Sequence, residues 1–191
     1  MRVISGIAKG RRLRATKSPE MRPTTDMARQ TIFDMLGSTV SGARVLDLCA
    51  GAGTLGIEAL SRGAREAVFV EQDRDACAAI LQNLEATGLR GAAHIRRTDV
   101  RRFLSRTPRT PFDLVFLDPP YGRGLGFVAR VLEKLANGAW VHRGTTIVVE
   151  AQEGEIDWPP RFHETRTRKF GRTLVSVAVT NGNEGDISGD V

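Results

Sequence analysis

Only two cysteines, Cys49 and Cys77, occur among the 191 residues. Both sit in apolar patterns, so no disulfide framework is expected and a reducing, cytoplasmic setting fits. No apolar run approaches the roughly 20 residues that span a bilayer. The opening MRVISGIAKGRRL lacks the apolar core, about 7–15 residues long, of a secretory signal. Neither export nor membrane association is expected. Histidine is scarce too: His94, His142 and His163 have no ligand-like spacing, and no Cys/His cluster exists. No metal is therefore expected. Lysine occurs four times against 24 arginines. Arginine suits bidentate phosphate contact, although genome base composition biases the same ratio.

What is present is ordinary globular material, 41% hydrophobic and 26% charged. The length suggests one domain, able to bury roughly 70% of its unfolded surface. The net charge of +6 is unevenly placed. Residues 1–29 hold eight basic side chains and two acids, so the whole excess lies there and the remainder is neutral. A basic arm beside a neutral body is the footprint of a polyanion-binding protein. Arg2, Lys9, Arg11, Arg12, Arg14 and Arg22 are its candidate nucleic-acid contacts. The plainer reading is a solvated terminus.

Strand and helix patterns alternate from residue 44. Arg44–Leu48, Ala67–Glu71, His94–Arg97, Phe112–Leu117 and Thr145–Val149 read as strands. Thr54–Arg62, Asp73–Thr87, Val100–Ser105 and Leu125–Leu135 read as helices, the second with Ala76, Ile80, Leu81 and Leu84 on one face. Such alternation implies an α/β fold with a mostly parallel sheet covered on both faces. Phe162–Arg168 and Thr173–Thr180 read as a terminal antiparallel hairpin about Lys169–Arg172. At the front, Arg2–Ala8 and Gly10–Arg14 predict a second hairpin. Thr24–Leu36 predicts a helix with Met27, Ile32, Met35 and Leu36 apolar. The expected organisation is a basic N-terminal extension over 1–43, packed on the core, a catalytic domain over 44–180 and a disordered tail over 181–191.

Val45–Thr54 (VLDLCAGAGT) carries a strand into Gly51-Ala52-Gly53 and then a helix. With Gly56 the loop reads G-x-G-x-x-G, and Glu71 ends the next strand 20 residues after Gly51. That spacing suits the ribose-binding acid of an adenosine cofactor site. Ala50, Gly51, Gly53 and Thr54 are the candidate cradle. Asp47 narrows the choice. A carboxylate four residues before the first glycine would repel a pyrophosphate. It suits S-adenosylmethionine, which has an ammonium and a sulfonium and no phosphate. Asp99 could accept from the adenine amino group; it could equally be a helix N-cap. Asp47 and Glu71 could likewise be a satisfied buried acid and a strand-end residue.

Asp118-Pro119-Pro120-Tyr121 follows the fourth strand. Its prolines remove two amide donors. The turn therefore offers a carboxylate, carbonyl oxygens and an aromatic ring. Such a surface suits a flat heterocycle bearing an amino group, with Asp118 and the Pro119 carbonyl each accepting one hydrogen. A Tyr121 stack on the ring would add about 1–3 kcal/mol. Cys49 reads as packing rather than as a nucleophile. Trp140 and Trp158 read as core or surface anchors. Arg161, Arg166, Arg168, Lys169 and Arg172 form a second basic run, facing either RNA or solvent along a protected sheet edge.

Asp47–Gly53 resembles motif I of the S-adenosylmethionine-dependent methyltransferases. Asp118–Tyr121 resembles their (D/N)PP(Y/F) motif for exocyclic amino groups. With RVISGIAKGRRL at the start, Arg22–Leu36 (RPTTDMARQTIFDML) and Gly171-Arg172-Thr173, the chain is similar to the RsmD family of bacterial 16S rRNA guanine-N2 methyltransferases, from Arg2 to about Thr180. The resemblance implies a Rossmann-like sheet of seven strands with the last antiparallel. It also implies S-adenosylmethionine as cofactor, with S-adenosylhomocysteine as product, and no metal. The implied substrate is 16S rRNA in the small subunit or its assembly intermediate, of the guanine(966)-N(2) type, methylated by a monomer. Thr24 and Thr25 would then lie near the cofactor. An adenine-N6 methyltransferase of DNA or RNA shares the DPPY chemistry. An oxidoreductase or an inert RNA-binding module fits Asp47 and DPPY less well.

Overall fold

The computed structural model describes residues 1–16, 26–152 and 154–181, without the side chains of Tyr121 and Gln152. Arg22, Thr24, Thr25 and the tail beyond Asn181 lie outside the described residues.

Seven strands form one sheet: β1 (Arg44–Leu48), β2 (Glu66–Glu71), β3 (Ala93–Arg97), β4 (Phe112–Leu117), β5 (Val141–Gln152), β6 (Phe162–Phe170) and β7 (Thr173–Thr180). Their order is β3-β2-β1-β4-β5-β7-β6. The first five are parallel, and β7 runs antiparallel to both its neighbours. The helices are α1 (Asp26–Leu36), α2 (Thr54–Ser61), α3 (Arg74–Thr87), α4 (Val100–Leu104) and α5 (Gly124–Asn137). Alternate strand residues feed opposite faces. Val45, Phe69, Phe116 and Val148 join α1, α2 and α3, whereas Leu46, Val70, Leu117 and Val149 join α4 and α5. Each fully buried leucine or phenylalanine there contributes about 1.5–3 kcal/mol. The chain leaves β1 toward β2 on one side, and β4 pairs on the other. Ligands of open α/β sheets bind outside the carboxyl ends of strands at such a switch point.

Several elements differ from the sequence reading. The N-terminal segment makes one isolated bridge, Arg2 with Arg12, rather than a hairpin of strands. Its Val3 and Leu13 amides donate across that antiparallel bridge to the Arg11 and Met1 carbonyls, and that of Gly10 to Val3, so the two arms do fold back on each other, while other amides leave the segment. Those of Ile4 and Ser5 donate to the Glu58 carboxylate, and those of Ile7 and Ala8 to the Ser61 carbonyl and hydroxyl. Gly6 (φ +82°) lies so close that a Cβ would fall 1.7 Å from the Ser61 carbonyl oxygen. The segment is thus clamped to the end of α2, with Val3, Ala8 and Leu13 in the core.

In α1 the inward stripe is Arg29, Ile32, Phe33 and Leu36, and Met27 is 71% exposed. Phe33 packs on Phe116 at 5.8 Å between centroids, which fixes the rotation of the helix. Buried Arg29 donates to the Arg2 carbonyl and to Asp26. Desolvation lowers its pKa, against the pull of Asp26 and Glu58. In α3, Leu81 turns partly outward, and Asn83 lies inside with Ala76, Ile80 and Leu84. Strand β5 is longer than Thr145–Val149 at both ends. Its first residues bulge against β4, where Thr145 Oγ accepts from the His142 amide and donates to the Phe112 carbonyl.

Candidate active site

Motif I lies at the end of the central strand. Asp47 is 1% exposed, on the face shared with Val45 and between Phe69 and Phe116 of the neighbouring strands. Its Oδ2 accepts from the Gly56 amide at 2.9 Å. Burial pushes the Asp47 carboxyl up to about 8, against the Gly56 hydrogen bond and with Glu71 adding to the rise. A Cβ on Gly56 would stand 2.4 Å from a Phe69 ring carbon and 3.0 Å from Asp47 Oδ2, so only glycine fits there.

The loop above is held in left-handed backbone at Cys49 (φ +62°), Gly51 (φ +55°) and Gly53 (φ +77°). A non-glycine residue in that region marks strain that the surroundings must hold. Glu71, at the end of β2, provides part of that hold. Its Oε2 accepts from the Gly51 amide at 2.9 Å, and its Oε1 from Gln72 and Asp73 at 2.7 and 2.8 Å. From the other side, Asn83 Nδ2 donates to the Ala52 carbonyl at 3.0 Å. Ala50 is tied to the Val70 carbonyl, and Thr54 opens α2. The Cys49 thiol is pushed up by burial, with the carboxylates of Glu71 and Asp118 adding to the rise. A thiol so disposed packs and does not attack.

The DPPY turn follows β4, the neighbour of β1, and its Asp118 amide reaches toward the Leu48 carbonyl at 3.4 Å. Asp118, Pro119 and Pro120 line a small open cleft. The first turns of α5 (Gly124, Leu125, Val128) and Glu150-Ala151 of β5 complete it. The stacking expected of the Tyr121 ring falls outside the described side chains. Asp99 caps α4, accepting from the Arg101 amide at 2.8 Å, and stands 3.7 Å from Arg123, just beyond DPPY. Partial burial raises its pKa, but hydrogen bonds from Arg101 outweigh that and hold it below the usual carboxylate range. The end of β3 and the DPPY turn are thereby joined.

The basic arm presents Arg2, Lys9, Arg11, Arg12 and Arg14 as exposed side chains. The second basic run is different. Arg161 donates to the carbonyls of Ala136, Gly138 and Val141, closing the end of α5, and Arg166 donates to the Met35 carbonyl. Both guanidiniums are engaged by the protein's own backbone. Among the described residues, no group of three or more His, Cys, Asp or Glu is placed to hold a metal ion, and no helix is long and apolar enough to cross a membrane.

Sequence reasoning missed Asn83, Glu58 and Glu150. Asn83 had a signal, a lone amide on the apolar stripe of α3. Glu58 pairs locally with Arg62 at i,i+4, but the Ile4 and Ser5 amides that it anchors lie more than 50 residues away.

A family model described as "Conserved hypothetical protein 95" matches residues 1–179. The Bacillus subtilis protein YlbH is 46% identical over 187 residues, which cover 95% of this chain and 100% of that protein. "Ribosomal RNA small subunit methyltransferase D" of Escherichia coli is 38% identical over 152 residues, 80% of this chain and 75% of that one. The solved structure of YhhF from Escherichia coli superposes with a TM-score of 0.85 at 32% identity, covering 96% of this chain and 99% of that one. The seven-stranded sheet is the Rossmann-like sheet of these methyltransferase neighbours, its last strand antiparallel. Matched over nearly its whole length, the chain belongs to the RsmD family.

Proposed function

We propose that the protein is an S-adenosylmethionine-dependent rRNA methyltransferase acting on the exocyclic N2 of a guanine, of the 966 type, in 16S rRNA of the small subunit or its assembly intermediate. One observation carries the reading: the glycine loop after β1 and the DPPY turn after the adjacent β4 meet at the topological switch point. The relative named for small-subunit rRNA supports the substrate class.

The loop itself supports the cofactor. A pyrophosphate at a helix N-terminus needs free amides. Here the Gly56 and Gly51 amides already serve Asp47 and Glu71, so a phosphate would meet two acidic side chains instead of free donors. A sulfonium and an ammonium suit that site. When bound, S-adenosylmethionine supplies an electrophilic methyl group and leaves as S-adenosylhomocysteine. Glu71 has about four acceptor positions on its two oxygens and uses three on backbone amides, leaving one for a ribose hydroxyl. Asp47 and Asn83 hold the loop in shape. Ala50, Gly51, Gly53 and Thr54 form the cradle, and Asp99, joined to the DPPY turn through Arg123, lies at the adenine end.

At the cleft, Asp118 and the Pro119 carbonyl accept the two amino hydrogens of the target base. They favour a more pyramidal nitrogen and stabilise the positive charge that grows on it. The surplus proton on the methylated nitrogen passes to Asp118 or to water. The base must leave its stack to reach this pocket, which single-stranded RNA permits most cheaply. Arg2, Lys9, Arg11, Arg12, Arg14 and Arg22 meet the phosphates.

The test is incubation with labelled S-adenosylmethionine and unmethylated small subunits, naked rRNA or DNA, followed by nucleoside analysis. N2-methylguanosine in small-subunit rRNA is the expected product. N6-methyladenosine, or no transfer to any substrate, would refute the proposal.

A further inference from the structure

We infer that Asn83 is a positioning residue that couples RNA contact at the basic arm to the cofactor loop, so that RNA and cofactor bind with positive cooperativity. The inference rests on the reading of the arm as an RNA contact and of the glycine loop as the cofactor cradle. It goes beyond that reading by joining the two.

Asn83 is 1% exposed and lies within α3. Its Oδ1 accepts from the Arg14 amide at 2.7 Å, and its Nδ2 donates to the Arg14 carbonyl at 3.1 Å. The same Nδ2 donates to the Ala52 carbonyl at 3.0 Å. One carboxamide thus holds both main-chain groups of an arm residue whose guanidinium is exposed. It also holds the peptide between the two positive-φ glycines, Gly51 and Gly53.

The positions on either side of that peptide are already held. Glu71 fixes the Gly51 amide on one side, and the Gly53 position packs against Ile80 and Phe69 on the other. A Cβ there would already lie 3.2 Å from each of those side chains. The Asn83 bond therefore decides which way the Ala52 carbonyl points. A displacement of Arg14 along the arm turns the Asn83 amide, and with it the carbonyl of the loop. Phosphate contact that holds the arm in place holds the loop in its binding shape, and the ordering cost is met once for two ligands.

Coupling of this kind is reciprocal, and several-fold to about a hundredfold effects are usual. For a single buried side chain the low end, about fivefold, is expected. The experiment measures S-adenosylhomocysteine affinity by calorimetry, with and without unmethylated small-subunit rRNA transcribed in vitro. RNA affinity with and without S-adenosylhomocysteine is measured alongside. In the unaltered protein both affinities should rise by the same factor. Asn83→Asp keeps the volume and the acceptor for Arg14 but loses both donors. It should bind each ligand and show a factor near one. Its KM for RNA should then no longer fall as cofactor concentration rises, a readout that simple destabilisation would not abolish.

Equal coupling in the variant and the unaltered protein would overturn the role of Asn83. Independent binding in the unaltered protein would overturn the inference with no variant needed, while N2-methylguanosine formation left the functional reading standing. Absence of both RNA binding and methyl transfer would overturn the two together.

Discussion

The Asp47 carboxyl accepts from the Gly56 amide at 2.9 Å, across the turn that joins β1 to α2. A buried acid thereby occupies the helix-terminal donor that a nucleotide phosphate would otherwise use. Its raised pKa has a definite sign in stability. Asp47 keeps its proton in the folded protein up to about 8, against about 3.8 when unfolded. Its contribution is therefore full below the unfolded value and is lost as pH rises through about 8. Asp47→Asn keeps an oxygen for Gly56 and cannot ionise. The variant should gain stability relative to the unaltered protein between about pH 4 and pH 8, as read by denaturant midpoints. Parallel pH profiles for the two proteins would count against a protonated Asp47.

A cationic cofactor in the site should drive the same carboxyl toward ionisation, because an opposite charge nearby favours the charged form. Binding of S-adenosylmethionine near pH 7 should then release a fraction of a proton. Calorimetry in buffers of different ionisation enthalpy reads this directly. Asp47→Asn should abolish the buffer dependence, and a dependence that survives in the variant would assign the proton elsewhere.

Gly56→Ala tests the close approach of α2 to the sheet. The added Cβ would meet the ring of Phe69, which is fully buried and cannot swing away. Overpacking of this kind costs about 1–3 kcal/mol. The denaturation midpoint should fall accordingly, and cofactor affinity with it. A midpoint within experimental error of the parent would show that the helix can retreat.

Asp118→Ala should leave S-adenosylhomocysteine binding nearly intact and slow methyl transfer by about 10²-fold or more, the scale of losing one transition-state hydrogen-bond partner. Single-turnover rates with saturating RNA separate the two effects. Near-normal turnover would remove Asp118 from the chemistry.

Neutralising Arg11, Arg12 and Arg14 together, each to Gln, leaves the main-chain bonds of Arg14 to Asn83 in place. RNA binding should weaken, and its dependence on salt should flatten by about one unit of slope for each phosphate that no longer meets a cation. A salt series for the variant and its parent reads the outcome. Lines of equal slope would make the arm a solubilising terminus. The same change at Arg161 should leave the slope alone and lower stability, because that guanidinium serves three carbonyls at the end of α5 and the start of β5.

The sequence by itself determined the strand and helix order, the glycine turn and the DPPY turn, because each depends on residues close together in the chain. Apolar runs of β1 and β4 read as buried strands wherever they pair, and Asp73 and Gly88 cap α3 through their own neighbours. Other features awaited the tertiary structure. Met27 and Arg29 exchanged the places that hydropathy assigned them, because the contact of Phe33 with Phe116 set the rotation of α1. The N-terminal segment folds back on itself as its pattern suggests, but the partners that anchor it, Glu58 and Ser61, lie on α2. Arg161, one of a basic run in the sequence, became a backbone staple. Asn83 acquired its position between arm and loop only when residues 14, 52 and 83 came together. Such pairings join groups tens of residues apart, and what selects them is the cost of leaving buried polar groups without partners. Local pattern states that requirement but does not say where the partner will be.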